Sequence, residues 1–331
     1  MDRNGAPISS TSGLEGKIQV TRHLRENPQT GCRSIHLVMT QLPNVSVIVP
    51  VYNAQETVRD CIDSLLDLNY PKENLELIFV NNASTDKTPE ILKQYSNDIR
   101  ILYEAKKGPA AARNKGILNA NGEVVAFTDS DCIVDQDWLL NLIPALQDPL
   151  VGIVGGTILS KRPHNAIERF GEHIHDHNKA INEYKPPYAI TMNWTSRLCV
   201  LKEMDLFDES FIRCEDVDLS YRIVQSGYIL AFQPQAIVRH SNESTYSGLF
   251  NEGILHGVYS VLAVKKHRDF VNSFYRKRSN RKRSSRVNIT SSLIRYLSEE
   301  QANHSICSFI FNAGKKIGKI FGSIRFLYLD S

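Results

Sequence analysis

Val124-Val125-Ala126-Phe127-Thr128-Asp129-Ser130-Asp131-Cys132 runs four apolar residues straight into two carboxylates spaced i, i+2. A short apolar run without alternation suits a strand buried on both faces of a parallel sheet. The carboxylates then leave the sheet at the strand's C-terminal edge, the rim on which open α/β folds hold their ligands. Two acids that close repel each other in apolar surroundings, and a divalent cation carrying phosphate relieves the repulsion economically. The same pattern also occurs in solvated β-turns that hold two aspartates and nothing more. Its neighbours decide between the two readings.

Upstream, Val45-Ser46-Val47-Ile48-Val49-Pro50-Val51-Tyr52-Asn53 is a β-branched run closed by Pro and Asn, a strand passing into a loop. Residues 56–68 place Val58, Cys61, Ile62, Leu65 and Leu66 on one helical face. A second apolar strand over 75–80 ends in Asn81-Asn82-Ala83-Ser84-Thr85-Asp86, a short helix covers 87–95, and a third strand covers 99–103. Gly108-Pro109 opens an Ala-rich helix, with Pro in the first turn as helix starts prefer. Asn121-Gly122 turns the chain back into the strand that delivers Asp129 and Asp131. This β-α-β-α order with short joints predicts a doubly wound, mostly parallel α/β sheet with helices on both faces. Asn53, Asn81, Asn82, Asp86, Asp129 and Asp131 should therefore converge on one rim.

The second half is less regular. Residues 138–146 read as a helix, 151–158 as a strand, 165–182 as a polar helix, and 198–201 as a strand. Residues 213–222 form a helix ended by Gly227, on which Asp218 and Arg222 stand at i, i+4 and can pair. Residues 236–240 read as the last core strand, ending at His240.

A chain of 331 residues can bury a full core. Its 42% hydrophobic and 23% charged residues are ordinary for a globular protein. The net charge of +3 hides an asymmetry: ten Lys/Arg stand against one acid, Asp269, between Lys265 and Arg286, and the remainder is net acidic. The six cysteines are scattered, with no C-x-x-C or zinc-like spacing, so reduced thiols and a cytoplasmic setting are expected. No secretory signal is visible at the N-terminus, and no apolar run reaches the ~18 residues of a transmembrane helix.

Six segments in this order resemble the nucleotide-sugar glycosyltransferases of family 2, which have the GT-A fold. They are the run 45–53, Asn82-Ala83-Ser84-Thr85-Asp86, the segment from Gly108 to Asn114, Phe127-Thr128-Asp129-Ser130-Asp131, Phe207-Asp208-Glu209, and Glu215-Asp216-Val217-Asp218-Leu219 with Arg222. The resemblance covers about residues 45–265. It implies inverting transfer of a sugar from a nucleoside diphosphate donor to an acceptor hydroxyl. It also implies a divalent cation, Mn²⁺ or Mg²⁺, held by Asp131 with Asp129 and His240 close by. Pro50, Tyr52, Asn53, Asn81, Asn82, Asp86, Arg113, Asp129 and Ser130 match positions around the donor. Asp216 matches the family's general base; Glu215 and Trp194 fall on the acceptor side.

Each position also has a plainer reading. Asp216 is equally an acid favoured by a helix dipole, and Arg113 a solvated helix arginine. His240 is equally a satisfied structural histidine, and Trp194 a core residue. Asn81-Asn82 replaces an aspartate pair common in relatives and leaves the nucleobase open. Asp205 stands where relatives often have Gly. In Glu172-His173-Ile174-His175-Asp176-His177 only His173 and His177 share a helical face, so a polar helix beside the acceptor cleft is expected over a zinc site.

The expected organisation is a lead-in over 1–43, a catalytic unit over 44–266 (donor half 44–132, acceptor half 133–266), and an appendage over 267–331. In the appendage a basic run from Arg276 to Arg286 precedes a helix. On that helix Ile306, Phe309, Ile310, Ala313, Ile317, Ile320, Phe321, Ile324, Leu327 and Tyr328 fall within ~120° of arc, with Lys315, Lys316 and Lys319 facing away. A basic amphipathic helix predicts peripheral attachment to an anionic membrane surface on the cytoplasmic side. The alternative buries the stripe on the catalytic unit or on a second copy. No aromatic interleaving accompanies the basic run, so nucleic acid is not expected as a partner. The donor would be a nucleoside diphosphate-sugar, and the acceptor a glycan or a lipid-linked or cell-surface polysaccharide precursor. The absence of a Gln-x-x-Arg-Trp motif argues against a processive synthase. A sugar nucleotidyltransferase would need a Gly-rich, Arg-containing loop where Pro50-Val51-Tyr52-Asn53 stands, and an inactive scaffold would not need Asp129, Asp131 and Asp216.

Overall fold

The computed structural model describes residues 42–276 and 299–328. The expected lead-in, apart from Leu42 and Pro43, and the basic run beyond Arg276 lie outside the described residues.

The first half alternates as the sequence predicts: β1 (Val45–Val51), α1 (Val58–Leu66), β2 (Leu75–Asn81), α2 (Thr88–Gln94), β3 (Arg100–Tyr103), α3 (Pro109–Asn119) and β4 (Val124–Phe127). β1 pairs in parallel with β2 and β4, and β2 with β3. β4 is buried along its whole length, as an unalternating apolar run in a sheet covered on both faces must be. The pleat of β1 sends Val47, Val49 and Val51 into one apolar layer with α1, and Ile48 into the other with Ile117 of α3.

Beyond the two carboxylates come β5 (Cys132–Val134), α4 (Trp138–Leu142), β6 (Val151–Ser160), α5 (Ala166–Ile174), β7 (Trp194–Arg197), α6 (Leu198–Glu203), α7 (Glu215–Gln225) and β8 (Ile229–His240). The sheet order is β3-β2-β1-β4-β7-β6-β8-β5. β7 runs antiparallel to β4 and β6, β8 is parallel to β6, and β5 is antiparallel to β8. The sheet is thus mostly parallel, with its reversals confined to the second half. That topology sets Cys132 opposite His240 and so brings the end of β8 beside Asp131.

Two expected elements differ. The strand expected over 198–201 is the helix α6, and the strand lies immediately upstream as β7. A four-residue apolar run reads alike in a buried helix and a strand. The polar residues of β7 hid its burial: Thr195 and Ser196 are buried because their hydroxyls donate to the carbonyls of Val125 (2.9 Å) and Gly152 (2.7 Å). The helix expected over 165–182 stops at Ile174 and resumes only as a wide turn over Lys179–Glu183.

The C-terminal part forms α8 (Tyr246–Lys266), α9 (Arg268–Arg276) and α10 (Glu299–Ser323). α8 and α10 pack backbone against backbone. A Cβ at Gly253 or Gly257 would meet the carbonyls of Phe311 or Lys315, and one at Gly314, Gly318 or Gly322 would meet those of Phe250, Ile254 or Val258. α7 is anchored to the same region through Asp218, which is fully buried. Its carboxylate accepts from Arg222 (2.7 Å) and His267 (2.8 Å). Burial opposes that charge, but His267 and Arg222 outweigh it and hold the carboxyl below the usual range.

Two outcomes follow from this anchoring. Gly318→Val should cost about 1–3 kcal/mol in urea melts and expose α10 to protease, because backbone on the facing helix cannot yield. Lys316→Val, on the outer side of α10, should stay within about 0.5 kcal/mol of the parent. Asp218→Asn should destabilise by about 3 kcal/mol near neutral pH. A depressed folded-state pKa confers stability above the unfolded value of about 3.9. The gap between parent and variant should therefore close as pH falls below that value.

Candidate active site

A cleft of ≈ 1750 Å³ opens along the rim where the parallel strands end. Pro50, Tyr52, Asn53, Asn82, Arg113, Asp129, Ser130, Asp131 and His240 line it, together with Thr191, Glu215 and Asp216 from the second half of the chain. α8 and α10 close one side with Glu252, His256, Lys315 and Lys319.

Arg113 sits between Asp129 and Glu215. It is 2% exposed and donates to Asp129 (2.7 Å) and to Glu215 (2.5 Å), with the ring of Phe207 at 5.8 Å from its guanidinium carbon. Burial works against its charge, but Asp129 and Glu215 more than restore it. Arg113 lines the cleft, and its plainer reading as a solvated helix arginine does not hold: it is a buried strut joining the acidic pair after β4 to the start of α7. Its Nε is buried without a partner, so the two ion pairs carry the whole compensation.

Asp131 stands 3.4 Å from His240 Nε2, and His240 Nδ1 meets Asn242 at 2.7 Å. Burial disfavours the imidazolium, but Asp131 overrides it and raises His240 to about 9. Among the described residues no three His, Cys, Asp or Glu side chains are grouped to cage an ion unaided. The donor set still suits Mg²⁺ or Mn²⁺, which take one or two carboxylates and complete their shell with phosphate and water. Asp131 lines the cleft with its side chain 39% exposed, and Arg113 engages only Oδ1 of Asp129.

Asp216 lies in the first turn of α7, after Cys214 in the left-handed region (φ 64°). One carboxylate oxygen accepts from the Val217 amide at 2.8 Å, and the other faces the Thr191 amide at 3.4 Å. Burial and then the charge of Glu215 push its carboxyl up to about 7, against the pull of Arg113. A carboxyl poised there exchanges a proton near neutrality.

The other expected residues divide. Tyr52 is half exposed with Lys107 over its ring at 5.5 Å, a flat surface at the cleft edge. Asn53 accepts from the Thr85 amide (2.8 Å) and Asn81 from the Ser84 amide (3.0 Å). Asn82 spans the carbonyls of Glu104 and Lys106 and the Gly108 amide. Asp86 accepts from the amides of Gln55 and Thr88. These groups shape the loops; Asn81 and Asp86 do not line the cleft. Trp194 is corrected to a core residue, fully buried with Phe127 and Phe207 at 5.1 and 6.1 Å. The polar helix expected at the histidine cluster is corrected too. His177 is buried and pushed down to about 4 by that burial, its ring bridging the Gly156 carbonyl and the Ile190 amide. His175 alone of the three lines the cleft, where it meets Glu252 at 3.4 Å. At Asp205 and Leu206 the backbone is left-handed (φ 55° and 59°), which explains why glycine suits this turn.

Glu252, His256, Lys315 and Lys319 were not foreseen as cleft residues. Their only sequence signal was polarity opposite an apolar stripe, which does not name the surface it faces.

A family model described as Glycosyl transferase family 2 matches residues 46–202. "Glycosyltransferase AglE" of Haloferax volcanii is 34% identical over 205 residues, 60% of this chain and 67% of that protein. A Methanococcus voltae protein named dolichyl N-acetyl-alpha-D-glucosaminyl phosphate 3-beta-D-2,3-diacetamido-2,3-dideoxy-beta-D-glucuronosyltransferase is 25% identical over 241 residues, 67% of this chain and 74% of that one. In fold, the chain is similar to the mannosyltransferase PcManGT from Pyrobaculum calidifontis, solved with GDP-Man and Mn²⁺. The TM-score is 0.61 at 19% identity, over 88% of this chain and 89% of that one. S. aureus TarS 1-349 follows at TM-score 0.52 and 18% identity, over 82% and 80%. The sheet, the rim that collects its carboxylates and the relatives agree: the chain belongs to glycosyltransferase family 2, with the GT-A fold, and is a nucleotide-sugar-dependent glycosyltransferase.

Proposed function

We propose that the chain transfers a sugar with inversion from a nucleoside diphosphate donor to an acceptor hydroxyl, with Asp216 as general base. The observation that carries this reading is the division of carboxylates. Asp129 and Glu215 are tied to Arg113 and Asp131 to His240, which leaves Asp216 as the acid lifted to about 7. Inversion requires a base on the face of the sugar opposite the leaving diphosphate, and Asp216 lines the same cleft as Asp131, on a different element.

In this reading Asp131, with the free oxygen of Asp129 and with His240 alongside, holds Mn²⁺ or Mg²⁺ at the donor diphosphate. The bound cation would offset the charge that grows on the leaving group. The PcManGT complex with GDP-Man and Mn²⁺ supports the choice of ion. Tyr52 and Asn53 border the nucleotide, and Ser130 the donor sugar or diphosphate. The catalytic unit is 44–266, and the appendage 267–331 serves it.

The acceptor is a glycan, a lipid-linked saccharide or a cell-surface polysaccharide precursor, met on the cytoplasmic face of a membrane. The Methanococcus voltae relative, whose name carries a dolichyl phosphate, supports this choice. So does α10, on which Ile306, Phe309, Ile317, Ile320 and Phe321 are exposed although the helix is packed, as is Ile324 just beyond it. Among the described residues no helix is long and apolar enough to cross a membrane, so the contact would be peripheral.

Asp216→Asn should lower turnover by ~10²–10⁴-fold while nucleoside diphosphate affinity is kept. Asp131→Ala should instead abolish the Mn²⁺ dependence of that affinity in calorimetry. In the parent, kcat should rise with pH through about 7, as Asp216 loses its proton, and this rise should vanish in Asp216→Asn. Near-parental turnover in that variant would move the base elsewhere. On the membrane side, Phe309→Glu with Ile320→Glu and Phe321→Glu should release the protein from anionic vesicles at low salt. Those side chains lie off the glycine face, so the thermal melt should hold.

A further inference from the structure

Lys315 and Lys319 lie one turn apart on α10, on the side turned into the cleft. Lys315 is half-buried; among the described residues neither lysine has a carboxylate at ion-pair distance, and Lys315 has only the Phe311 ring, at 5.8 Å from its ammonium. Arg213 and Arg268 border the same stretch. The nearby acids do not answer these charges. Glu252 is engaged by His175 and His256, Glu215 by Arg113, and Asp216 is lifted toward neutrality.

The register between the helices locates this cationic stretch. Gly253 abuts Phe311 and Gly257 abuts Lys315, so the lysines lie about one turn further along α8 than Glu252, which faces His175 and the Asp131–His240 pair. Cys214, just before Glu215 and Asp216, lies within the electrostatic reach of Lys315. The cations therefore lie near the start of α7, where Glu215 and Asp216 stand. Burial and the charge of Lys319 both push Lys315 down, a cost that an anion between the two would remove.

We infer that Lys315 and Lys319, with Arg213 and Arg268 beside them, bind a phosphate or diphosphate group carried by the acceptor. The inference rests on the transferase reading above and names the acceptor's chemistry: a phosphate ester whose free hydroxyl is presented to Asp216. Such a group comes from an isoprenoid-type lipid phosphate or from a phosphate-containing polymer, and both offer the same oxygens to paired ammonium groups. Exposed Leu255 and Val264, also on the cleft wall, would lie beside an apolar chain of the first kind.

The test is direct binding, with the donor end filled by saturating nucleoside diphosphate and Mn²⁺, using whichever of UDP and GDP binds. Farnesyl diphosphate, a glycerol phosphate oligomer and uncharged farnesol are titrated by calorimetry into the parent, Lys315→Gln/Lys319→Gln and Lys315→Arg/Lys319→Arg. One or both phosphate probes should bind the parent and weaken by roughly tenfold per lysine lost, about 100-fold in the Gln pair. The Arg pair should recover most of that loss, which separates lost charge from a damaged fold. Whichever probe binds identifies the source of the phosphate. The inference is overturned if neither phosphate probe binds the parent, if the Gln pair binds as well as the parent, or if farnesol binds as tightly as farnesyl diphosphate. A parallel loss of nucleoside diphosphate affinity in the Gln pair would assign the lysines to the donor and overturn it too. Failure of the base assignment would show in the turnover of Asp216→Asn, which these titrations do not read.

Discussion

One buried guanidinium holds the acidic pair after β4 and the start of α7 in a fixed relation. Arg113 pairs at once with Asp129, delivered by β4, and with Glu215, about a hundred residues further along the chain. Its neighbour Asn114 repeats the tie, exchanging hydrogen bonds of 2.9 and 3.0 Å with the backbone of Phe207 and reaching Glu209. Two consecutive residues of one helix thus clamp the second half of the chain onto the first. Because Arg113 is almost inaccessible to water, neither carboxylate can leave without stranding a buried charge, at a cost of several kcal/mol.

That clamp also sorts the acids. Six carboxylates line the cleft, Glu243 among them, and a common environment would shift them together. Instead Asp129 and Glu215 share a cation, Asp131 faces His240, and Glu252 faces His175 and His256. Asp216 is left with burial, an acidic neighbour and two backbone amides. Arg113 pairs directly with Asp129 and Glu215 and reaches Asp216 through its charge alone, which burial and Glu215 outweigh in lifting that carboxyl to about 7.

The parallel half of the sheet was legible because each strand there is a β-branched run and each joint is short. Local signals suffice for β1 to β4, and they also put Asp129 and Asp131 where the structure has them, in the cleft; Asp216, also in the cleft, was marked by the family resemblance alone. What could not be read depended on distant partners. Thr195 and Ser196 look like loop residues until the carbonyls of Val125 and Gly152 are placed beside them. Trp194 looked equally suited to a sugar or a core, and only Phe127 and Phe207 closing around it decide the matter. Arg113 was noticed for its motif position, but its burial is a property of Glu215's arrival rather than of α3. The cleft residues of α8 and α10 carried no motif at all.

α10 shows how one helix can serve three neighbours. At 100° per residue, Gly314, Gly318 and Gly322 form a face with no side chains, and α8 takes it at backbone distance. Lys315 and Lys319 are rotated from it toward the cleft. Ile306, Phe309, Ile320, Phe321 and Ile324 are rotated the other way, into exposure. The sequence pattern gives two faces, polar and apolar, and leaves the apolar one to a membrane surface or, in the alternative, to the catalytic unit or a second copy. The glycine face is a third, which that pattern does not name. Closely approached backbones hold the helix on that face, and Cys307 and Phe311 are buried against Ile167, Phe170 and Leu249, while the exposed side chains take no part in either contact. An apolar stripe that the fold does not consume is available to another apolar surface. Because the glycine face fixes the helix's rotation, the stripe and the lysines stand on opposite sides of one rigid element. A surface that took up the stripe would therefore hold the lysine-lined wall of the cleft at a set orientation to itself.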